Sequence, residues 1–288
     1  MELRQLKYFL KAKELLNFTE AARALNISQS TLSQQIKQLE DELNVPLFNR
    51  IGKRITLTEA GDLFSEYALQ SINRANEGLL LIQDLKNLNT GKITIGVIYS
   101  MRILFAKTLI QFANQYPKIK IQVVFGTTKD LLEKLNLHQF DFILTFQDKP
   151  KEAQLKYQTL IKSNMVLVTA KKSTLAQKIN ISLNEVAELP LALPFSGYST
   201  IQFIEESFSQ KNLAPNICME INDIPTLFEI VKTGNWHTIL SDTSVNDPDV
   251  VAIPIDGKNM RRTIMIISLR EAYEKKAVKK FYEILSKI

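Results

Sequence analysis

Polar side chains crowd one face of a predicted helix between Phe18 and Glu40, in the segment FTEAARALNISQSTLSQQIKQLE. Its other face is apolar and follows helical spacing through Leu32, Ile36, Leu39 and Leu43. Opposite this stripe lie Ser30, Gln34, Lys37 and Gln38, with Ser33 on the flank and Ser28 as a predicted N-cap. Hydroxyl and amide groups both donate and accept hydrogen bonds, so this face can contact base edges and phosphate oxygens.

A shorter predicted helix precedes this one. Its small apolar residues, Ala21 and Ala22, allow the two helices to cross closely. Two helices joined by a short break form a helix-turn-helix, whose second helix lies in the major groove of DNA. The alternative is an ordinary amphipathic helix with a solvated polar face.

A predicted β-hairpin follows in NVPLFNRIGKRITLTEAG, with strands at Leu47–Arg50 and Arg54–Leu57. Its tip carries the cations Arg50, Lys53 and Arg54, which can reach phosphates or the adjacent minor groove. An ordinary solvated hairpin is the alternative, but cations directly after a predicted helix-turn-helix favour a basic wing.

A long helix is predicted from Thr58 to about Leu88. From Phe64 to Leu88 its apolar residues take seven steps over 24 residues, about 3.4 per step, close to a coiled-coil repeat. The narrow seam predicts a dimerisation arm, and residues 87–92 (NLNTGK) predict a linker between independent units. The alternative is a helix packed on the C-terminal part of its own chain.

From Lys92 onward, predicted strands alternate with predicted helices, which indicates an α/β fold with parallel sheets. A predicted break near residues 161–165 divides this part into two similar lobes with a cleft between them. The chain closes with a predicted amphipathic helix, Glu271–Lys287.

Composition narrows the classes of function. The net charge of +6 is not concentrated in the predicted helix-turn-helix, since residues 1–57 hold nine Lys/Arg and six Asp/Glu. The single cysteine, Cys218, excludes an internal disulfide and fits a reducing cytoplasm. No signal peptide and no membrane span are expected.

An enzyme and a solute-binding receptor are the competing classes. The chain has no glycine-rich nucleotide motif, and its only histidines, His138 and His237, are far apart, so we expect no catalytic residues, metal or cofactor. A solute receptor would require export. Neither class accounts for the first 90 residues.

Taken end to end, the sequence resembles the LysR-type transcriptional regulators. The resemblance rests on Phe18–Glu40, on VPLFNR and LTEAG, on the long helix and GKITIG, and on LNLHQFDFIL. It implies DNA contacts from the second helix and the wing; the residues are Gln29, Ser30, Ser33, Gln34, Lys37, Arg50, Lys53 and Arg54. Two departures are SQSTLSQQI, which is uncharged until Lys37, and GNWHTILSD, where Trp236 and His237 reshape the floor of the second lobe's cleft.

The resemblance also implies a small-molecule effector site between the lobes, at turns that follow strands. This agrees with the rule that open parallel sheets bind ligands beyond their carboxyl strand ends, where helix N-termini favour an anion. The implied effector residues are Tyr99, Ser100, Thr127, Thr128, Phe146, Phe195 and Ser196.

The implied fold is an all-α winged helix-turn-helix domain (1–58), a linker or dimerisation helix (59–90) and an α/β effector part (91–288). The effector part comprises two Rossmann-like, periplasmic-binding-protein-like lobes, lobe I at 91–161 and 266–288 and lobe II at 162–265. The implied partners are promoter DNA, a small effector, further copies of the chain in a homodimer or homotetramer, and RNA polymerase if the protein activates transcription. A cytoplasmic location on the nucleoid is expected, and a repressor that needs no ligand remains open.

Overall fold

The computed structural model describes residues 1–51, 54–86, 91–146, 152–195, 199–257 and 259–287. The chain divides into two compact units, Met1–Lys86 with Leu137–Gln139, and Asn87–Asn136 with Phe140–Ile288. Within the described ranges, no helix has both the length and the apolar character needed to cross a membrane.

The first unit is helical apart from one hairpin. Its elements are α1 (Leu3–Leu15), α2 (Phe18–Ala24), α3 (Gln29–Leu43), β1 (Phe48–Ile51), β2 (Arg54–Leu57) and α4 (Glu59–Lys86). The Oγ of Ser28 caps α3 by accepting a hydrogen bond from the Thr31 N–H at 3.0 Å. Leu32, Ile36 and Leu39 are fully buried, which confirms the predicted apolar stripe.

Aromatic side chains join the elements of this unit in one core. The ring centroid of Phe9 on α1 lies 5.5 Å from that of Phe48 on β1 and 5.4 Å from that of Phe64 on α4. Phe18 on α2 meets Phe48 edge-on at 5.4 Å. Such pairs contribute about 0.5–1.5 kcal/mol each beyond area burial, so the hairpin is anchored to the helices at its first residue.

The apolar seam of α4 has two parts with different environments. Ala68 and Ile72 are buried in the core of the first unit. This part of the seam therefore packs within its own chain, whereas the sequence analysis predicted that it packs against a second copy. Leu79 and Ile82, further along, remain exposed in the single chain at 63% and 52%. The side chain of Leu85 and all of Leu88 lie outside the described residues.

The second unit alternates strands and helices. Its first elements are β3 (Gly91–Ile98), α5 (Arg102–Gln115), β4 (Ile119–Gly126), α6 (Thr128–Asn136) and β5 (Phe142–Phe146). The next are β6 (Leu155–Ala170), α7 (Leu183–Ala187), β7 (Leu191–Pro194), α8 (Ser199–Ser209), β8 (Ile217–Ile221) and α9 (Ile224–Lys232). The last are β9 (Thr238–Ser241), β10 (Val250–Pro254), β11 (Arg261–Leu269) and α10 (Lys276–Leu285).

Strand direction corrects the predicted all-parallel pattern. β3 is parallel to β4 and β5, and β7 is parallel to β8, as helical crossovers between them require. The other pairs are antiparallel: β11 with β5 and β6, and β9 and β10 with β6. The reason is that β6 and β11 carry the chain from one lobe to the other in opposite directions.

The predicted break at 161–165 falls inside β6, which runs through these residues as one uninterrupted strand. Residues 155–164 of β6 pair with β11, and residues 165–170 pair with β9 and β10 instead. The lobes therefore meet where β6 changes partners. A register shift between Ile264 and Met265 marks the same region on β11.

Each lobe has its own apolar core. Phe105 of α5, Phe142 of β5 and Phe281 of α10 are fully buried together in lobe I. Lobe II buries Leu193 of β7 and Phe208 of α8. The final helix begins five residues later than predicted, after a loop in which the Arg270 N–H donates to the Gln154 carbonyl at 2.9 Å.

Candidate functional site

The outward face of α3 presents the polar residues that the sequence singled out. Gln29, Ser30, Gln34 and Lys37 are exposed, and Ser33 is half-buried. The Gln29 Nε2 donates to the Ser33 Oγ at 2.8 Å, so these two side chains already form a hydrogen bond across the first turn of the helix. The structure thus brings all the predicted α3 contacts onto one surface of the helix between Gln29 and Lys37.

Glu40 fixes the hairpin against the C-terminal half of α3. Its carboxylate is largely buried, and its Oε1 accepts hydrogen bonds from the backbone N–H groups of Leu47 at 2.8 Å and Phe48 at 3.1 Å. Its Oε2 pairs with the Arg50 guanidinium at 3.1 Å. A buried acceptor satisfied this way sets the distance between wing and helix.

Arg50 therefore has a structural contact besides its predicted one with DNA. Its guanidinium also lies 5.5 Å from the ring centroid of Phe18, yet 44% of its side chain is exposed. Arg54 pairs with Ile51 in the hairpin ladder. Lys53 lies outside the described residues. Sequence reasoning missed Glu40, whose signal is an acidic residue about one turn before the end of α3.

A cleft of about 30 Å³ lies between the two lobes of the second unit. Of the predicted effector residues, it is lined by Tyr99, Ser100, Thr127, Thr128 and Phe146. Phe195 is half exposed and is not among the lining residues, and Ser196 lies outside the described ones. Lobe II supplies Pro194, Ser199, Thr200, Ile224, Leu240, Ser241 and Ser244 to the lining.

Thr128 links the lobes through its hydroxyl. The cap of α6 is Thr127, whose Oγ1 accepts a hydrogen bond from the Asp130 N–H at 3.2 Å. The Thr128 hydroxyl is therefore not the helix cap. The Thr128 Oγ1 lies 2.7 Å from the Thr145 Oγ1 and donates to the Ser199 Oγ of lobe II at 3.3 Å. This hydroxyl is therefore in a bridge between β5 and α8.

Ser100 contributes a buried hydroxyl to the cleft from the same lobe as Thr128. It sits in a single 3-10 turn, Tyr99–Met101, between β3 and α5. Among the residues that the structure describes, its Oγ has no hydrogen-bond partner. Buried hydroxyls are usually satisfied, so a polar ligand atom in the cleft is a natural partner for it.

Arg262, which sequence reasoning missed, lies directly behind the cleft wall. It is only 4% exposed, and its Nη2 donates to the Ser199 Oγ at 2.8 Å while its Nη1 donates to the Thr200 Oγ1 at 3.1 Å. Its guanidinium carbon lies 3.6 Å from the ring centroid of Phe146. A signal was present in the sequence, because strand alternation places Arg262 on the same face as the buried Ile264 and Ile266.

Several helices begin at this cleft. Thr128, Ser199 and Ile224 are the first residues of α6, α8 and α9, and all three line it. Helix N-termini carry partial positive charge and unpaired N–H groups. The N-terminus of α9 is capped by the Asp223 carboxylate, so the N-termini of α6 and α8 and the buried Arg262 cation are the groups that favour a small anion here. No grouping of three or more His, Cys, Asp or Glu residues within the described ranges could hold a metal.

His237 does not form the cleft floor that the sequence predicted, and neither does Trp236. His237 is buried in lobe II, with its Nδ1 3.0 Å from the Thr169 Oγ1. Burial lowers the pKa of this imidazole below its usual value. Its role in the described structure is packing between β9 and β6.

Family models match both parts of the chain. A model described as a bacterial regulatory helix-turn-helix protein of the lysR family matches residues 3–62. A model of the LysR substrate binding domain matches residues 86–287.

Relatives and solved structures align along nearly the whole chain. The chain is 30% identical to the uncharacterised regulator YybE of Bacillus subtilis, covering 92% of this chain and 91% of YybE. It is 29% identical to the transcriptional activator CmpR of a Synechocystis strain, covering 92% and 88%. Full-length CbnR bound to its target DNA superposes with a TM-score of 0.72 at 21% identity, covering 100% and 99%. A full-length OxyR variant from Pseudomonas aeruginosa superposes with a TM-score of 0.74 at 22% identity, covering 100% of this chain and 94% of the OxyR chain.

Proposed function

The chain belongs to the LysR family of transcriptional regulators, and we propose that it contacts promoter DNA through α3 and the β1–β2 wing. The support is the exposed polar surface of Gln29, Ser30, Ser33, Gln34 and Lys37, held beside the hairpin by Glu40. Gln side chains suit base edges in the major groove, and the wing cations suit phosphates. The relative CbnR, solved on its target DNA, supports this assignment by its fold.

The proposed DNA-binding form is a homodimer that pairs into a homotetramer. The exposed apolar pair Leu79 and Ile82 on α4 supports a self-association surface there. A twofold dimer places its two recognition helices about 34–36 Å apart, one turn of DNA. Contact with RNA polymerase belongs to the proposal only if the protein activates transcription.

The proposed effector is a small anion bound between the lobes. The observation that carries this is the bridge of Thr128, Ser199 and Arg262 at converging helix N-termini. An anion that binds the bridged and separated lobes with different affinity shifts the balance between them. We propose that the protein regulates transcription in this way in the bacterial cytoplasm, and that it catalyses no reaction.

Genomic DNA capture tests the proposal. Purified full-length protein is mixed with sheared genomic DNA at physiological salt, and bound fragments are sequenced, with the region upstream of its own gene included. The proposal expects a few enriched sites with two half-sites one helical turn apart. Uniform recovery of the genome would contradict sequence-specific binding, and a single isolated half-site would contradict the dimer.

A further inference from the structure

A second, larger cavity opens beside the cleft. It measures about 230 Å³ and shares Tyr99, Ile224 and Ser244 with the cleft, so the two spaces adjoin. Its remaining lining residues are Arg102, Ile103 and Phe125 from lobe I and Asn222, Asp223 and Pro225 from lobe II. We call this space the side cavity. The residues of the proposed anion site, Thr128, Ser199 and Arg262, do not line it.

The walls of the side cavity are mostly apolar. Tyr99 stacks on Phe125 with ring centroids 6.0 Å apart and planes 27° from parallel, which forms one flat aromatic wall. Ile103 adds aliphatic surface from lobe I, and Pro225 adds it from lobe II. Apolar surface exposed in a concave site favours an apolar occupant.

The rim of the side cavity carries charges that offset each other. Asp223 accepts hydrogen bonds from the Thr226 Oγ1 at 2.6 Å and the Thr226 N–H at 2.9 Å. These bonds, with a smaller effect from the Arg102 charge, lower the pKa of Asp223, so its carboxylate stays ionised. A second anionic group is not favoured beside this carboxylate, and the nearby Arg102 compensates its charge. The rim therefore offers no uncompensated positive charge to a second anionic group.

The two spaces differ in size as well as in charge. The cleft of about 30 Å³ has room for a carboxylate-sized group only. The side cavity of about 230 Å³ exceeds the roughly 150 Å³ of an engineered apolar cavity that binds benzene. The second space is therefore larger than a simple inorganic anion needs.

We propose that the side cavity is the specificity half of the effector site, and that the effector is a monocarboxylic acid with an uncharged apolar body about the size of a benzene ring. This inference rests on the proposed anion site in the cleft. The carboxylate lies near Thr128 and Ser100, and the body lies between Phe125 and Pro225. Because the body touches walls from both lobes, it adds to the affinity only when the lobes are correctly spaced.

Calorimetric titration of full-length protein tests the ligand class. The probes are two ring acids, benzoate and cyclohexanecarboxylate. Acetate and sulfate are the controls that carry a negative charge but no apolar ring, and benzamide is the control that carries the ring but no charge. Both ring acids are expected to bind at least tenfold more tightly than acetate, sulfate or benzamide. Sulfate or acetate binding as tightly as the ring acids would overturn the inference, and so would equal binding of benzamide.

Matched variants separate the side cavity from the cleft. Ile103→Trp fills the side cavity, and Ile110→Trp places the same side chain on the exposed face of the same helix as a control. Ile103→Trp is expected to weaken benzoate binding at least tenfold and to leave acetate binding unchanged, whereas Ile110→Trp changes neither. If circular dichroism shows that Ile103→Trp is unfolded, Pro225→Phe at the exposed opposite wall takes its place.

A third variant distinguishes failure of the inference from failure of the proposed function. Thr128→Val is expected to weaken benzoate and acetate alike. If Thr128→Val does so while neither cavity-filling variant affects benzoate, the side cavity is not the site of the apolar body and the anion site stands. If Thr128→Val leaves every anion unaffected, the anion site and the side-cavity inference both fall.

Discussion

The guanidinium of Arg262 stacks on the ring of Phe146, 3.6 Å from its centroid, at the point where the two lobes of the second unit meet. Arg262 is on β11 and Phe146 ends β5, while the hydroxyls that Arg262 binds begin α8. One buried cation thus contacts both walls of the cleft. Its charge is held where a bound anion benefits from it, although its side chain is covered by Ser199 and Thr200.

Replacing Arg262 is expected to weaken the response of a target promoter to the effector bound in the cleft. Arg262→Met retains an apolar stem against Phe146 but leaves the Ser199 and Thr200 hydroxyls without their donor, at a cost of about 1–3 kcal/mol. The ratio of highest to lowest expression from a target-promoter reporter, measured across carbon sources, should fall severalfold. Arg261→Met, at the exposed neighbouring position, should change the free energy of unfolding by no more than about 0.5 kcal/mol and should keep the full expression ratio. A full ratio with Arg262→Met would contradict the role of the cation.

Self-association through α4 is expected to depend on its exposed apolar pair. Leu79→Glu with Ile82→Glu places two charges in an apolar contact, so the protein should sediment as a smaller species at micromolar concentration. Leu63→Glu is the matched control, because Leu63 is on the same helix and is 64% exposed, against 63% for Leu79. Sedimentation velocity on both proteins gives the answer. An unchanged oligomer in the double variant would place the dimer contact elsewhere.

Of the two described glycines of the first unit, Gly61 and Gly78, Gly61 should be the less replaceable. A Cβ at this position would lie 2.1 Å from the Leu47 carbonyl oxygen, which the Thr58 N–H fixes by a hydrogen bond of 3.0 Å. Gly61→Ala is therefore expected to lower the free energy of unfolding of this unit by about 1–3 kcal/mol through overpacking. Hydrogen exchange of peptides from α1 to α3 measures the effect.

The control for Gly61 is Gly78 on the same helix, where an added Cβ meets no atom within 4 Å. Gly78→Ala should stabilise α4 by roughly 0.5–1 kcal/mol, because alanine loses less backbone entropy. Faster exchange in the Gly78 variant, or unchanged exchange in the Gly61 variant, would contradict the packing described at Leu47.

The buried His237 should make the second unit less stable in mild acid. Because burial lowers its pKa in the folded protein, the folded state favours the neutral imidazole. Its contribution to stability is full above the unfolded pKa of about 6.5 and is lost as the pH falls below that value. Urea unfolding at pH 7.5 and pH 5.5 should show a smaller loss in His237→Gln than in the unsubstituted protein. Equal losses would show that this histidine does not cause the pH dependence.

Local patterns foretold the first unit well, since each depends on residues close in sequence. The burial of Leu32, Ile36 and Leu39 follows from spacing alone, and Ser28 caps the helix it precedes. The seam of α4 was half misassigned, because spacing shows that a face is apolar without showing which surface covers it. Its N-terminal part is covered by the chain's own helices.

Contacts distant in sequence were not foreseen. Arg262 binds Ser199, 63 positions earlier, and the partners of β6 change along its length. Neither fact leaves a periodic signal, because both depend on how the lobes are connected. Thr128 was correctly singled out as a residue at the start of α6, yet its bond to Ser199 required the second lobe to be in place.

Recognition of DNA sequence by the exposed face of α3 can be measured as a ratio of two binding affinities. Gln34→Ala removes an exposed amide from the polar face of α3, and Gln35→Ala removes the same group from the neighbouring half-buried position beside the apolar stripe. The quantity is the affinity for the captured promoter site divided by the affinity for random duplex DNA, at fixed salt. We expect Gln34→Ala to lower this ratio by the equivalent of about 1–3 kcal/mol and Gln35→Ala to leave it nearly unchanged. Equal ratios in the unsubstituted protein and Gln34→Ala would contradict base recognition by α3.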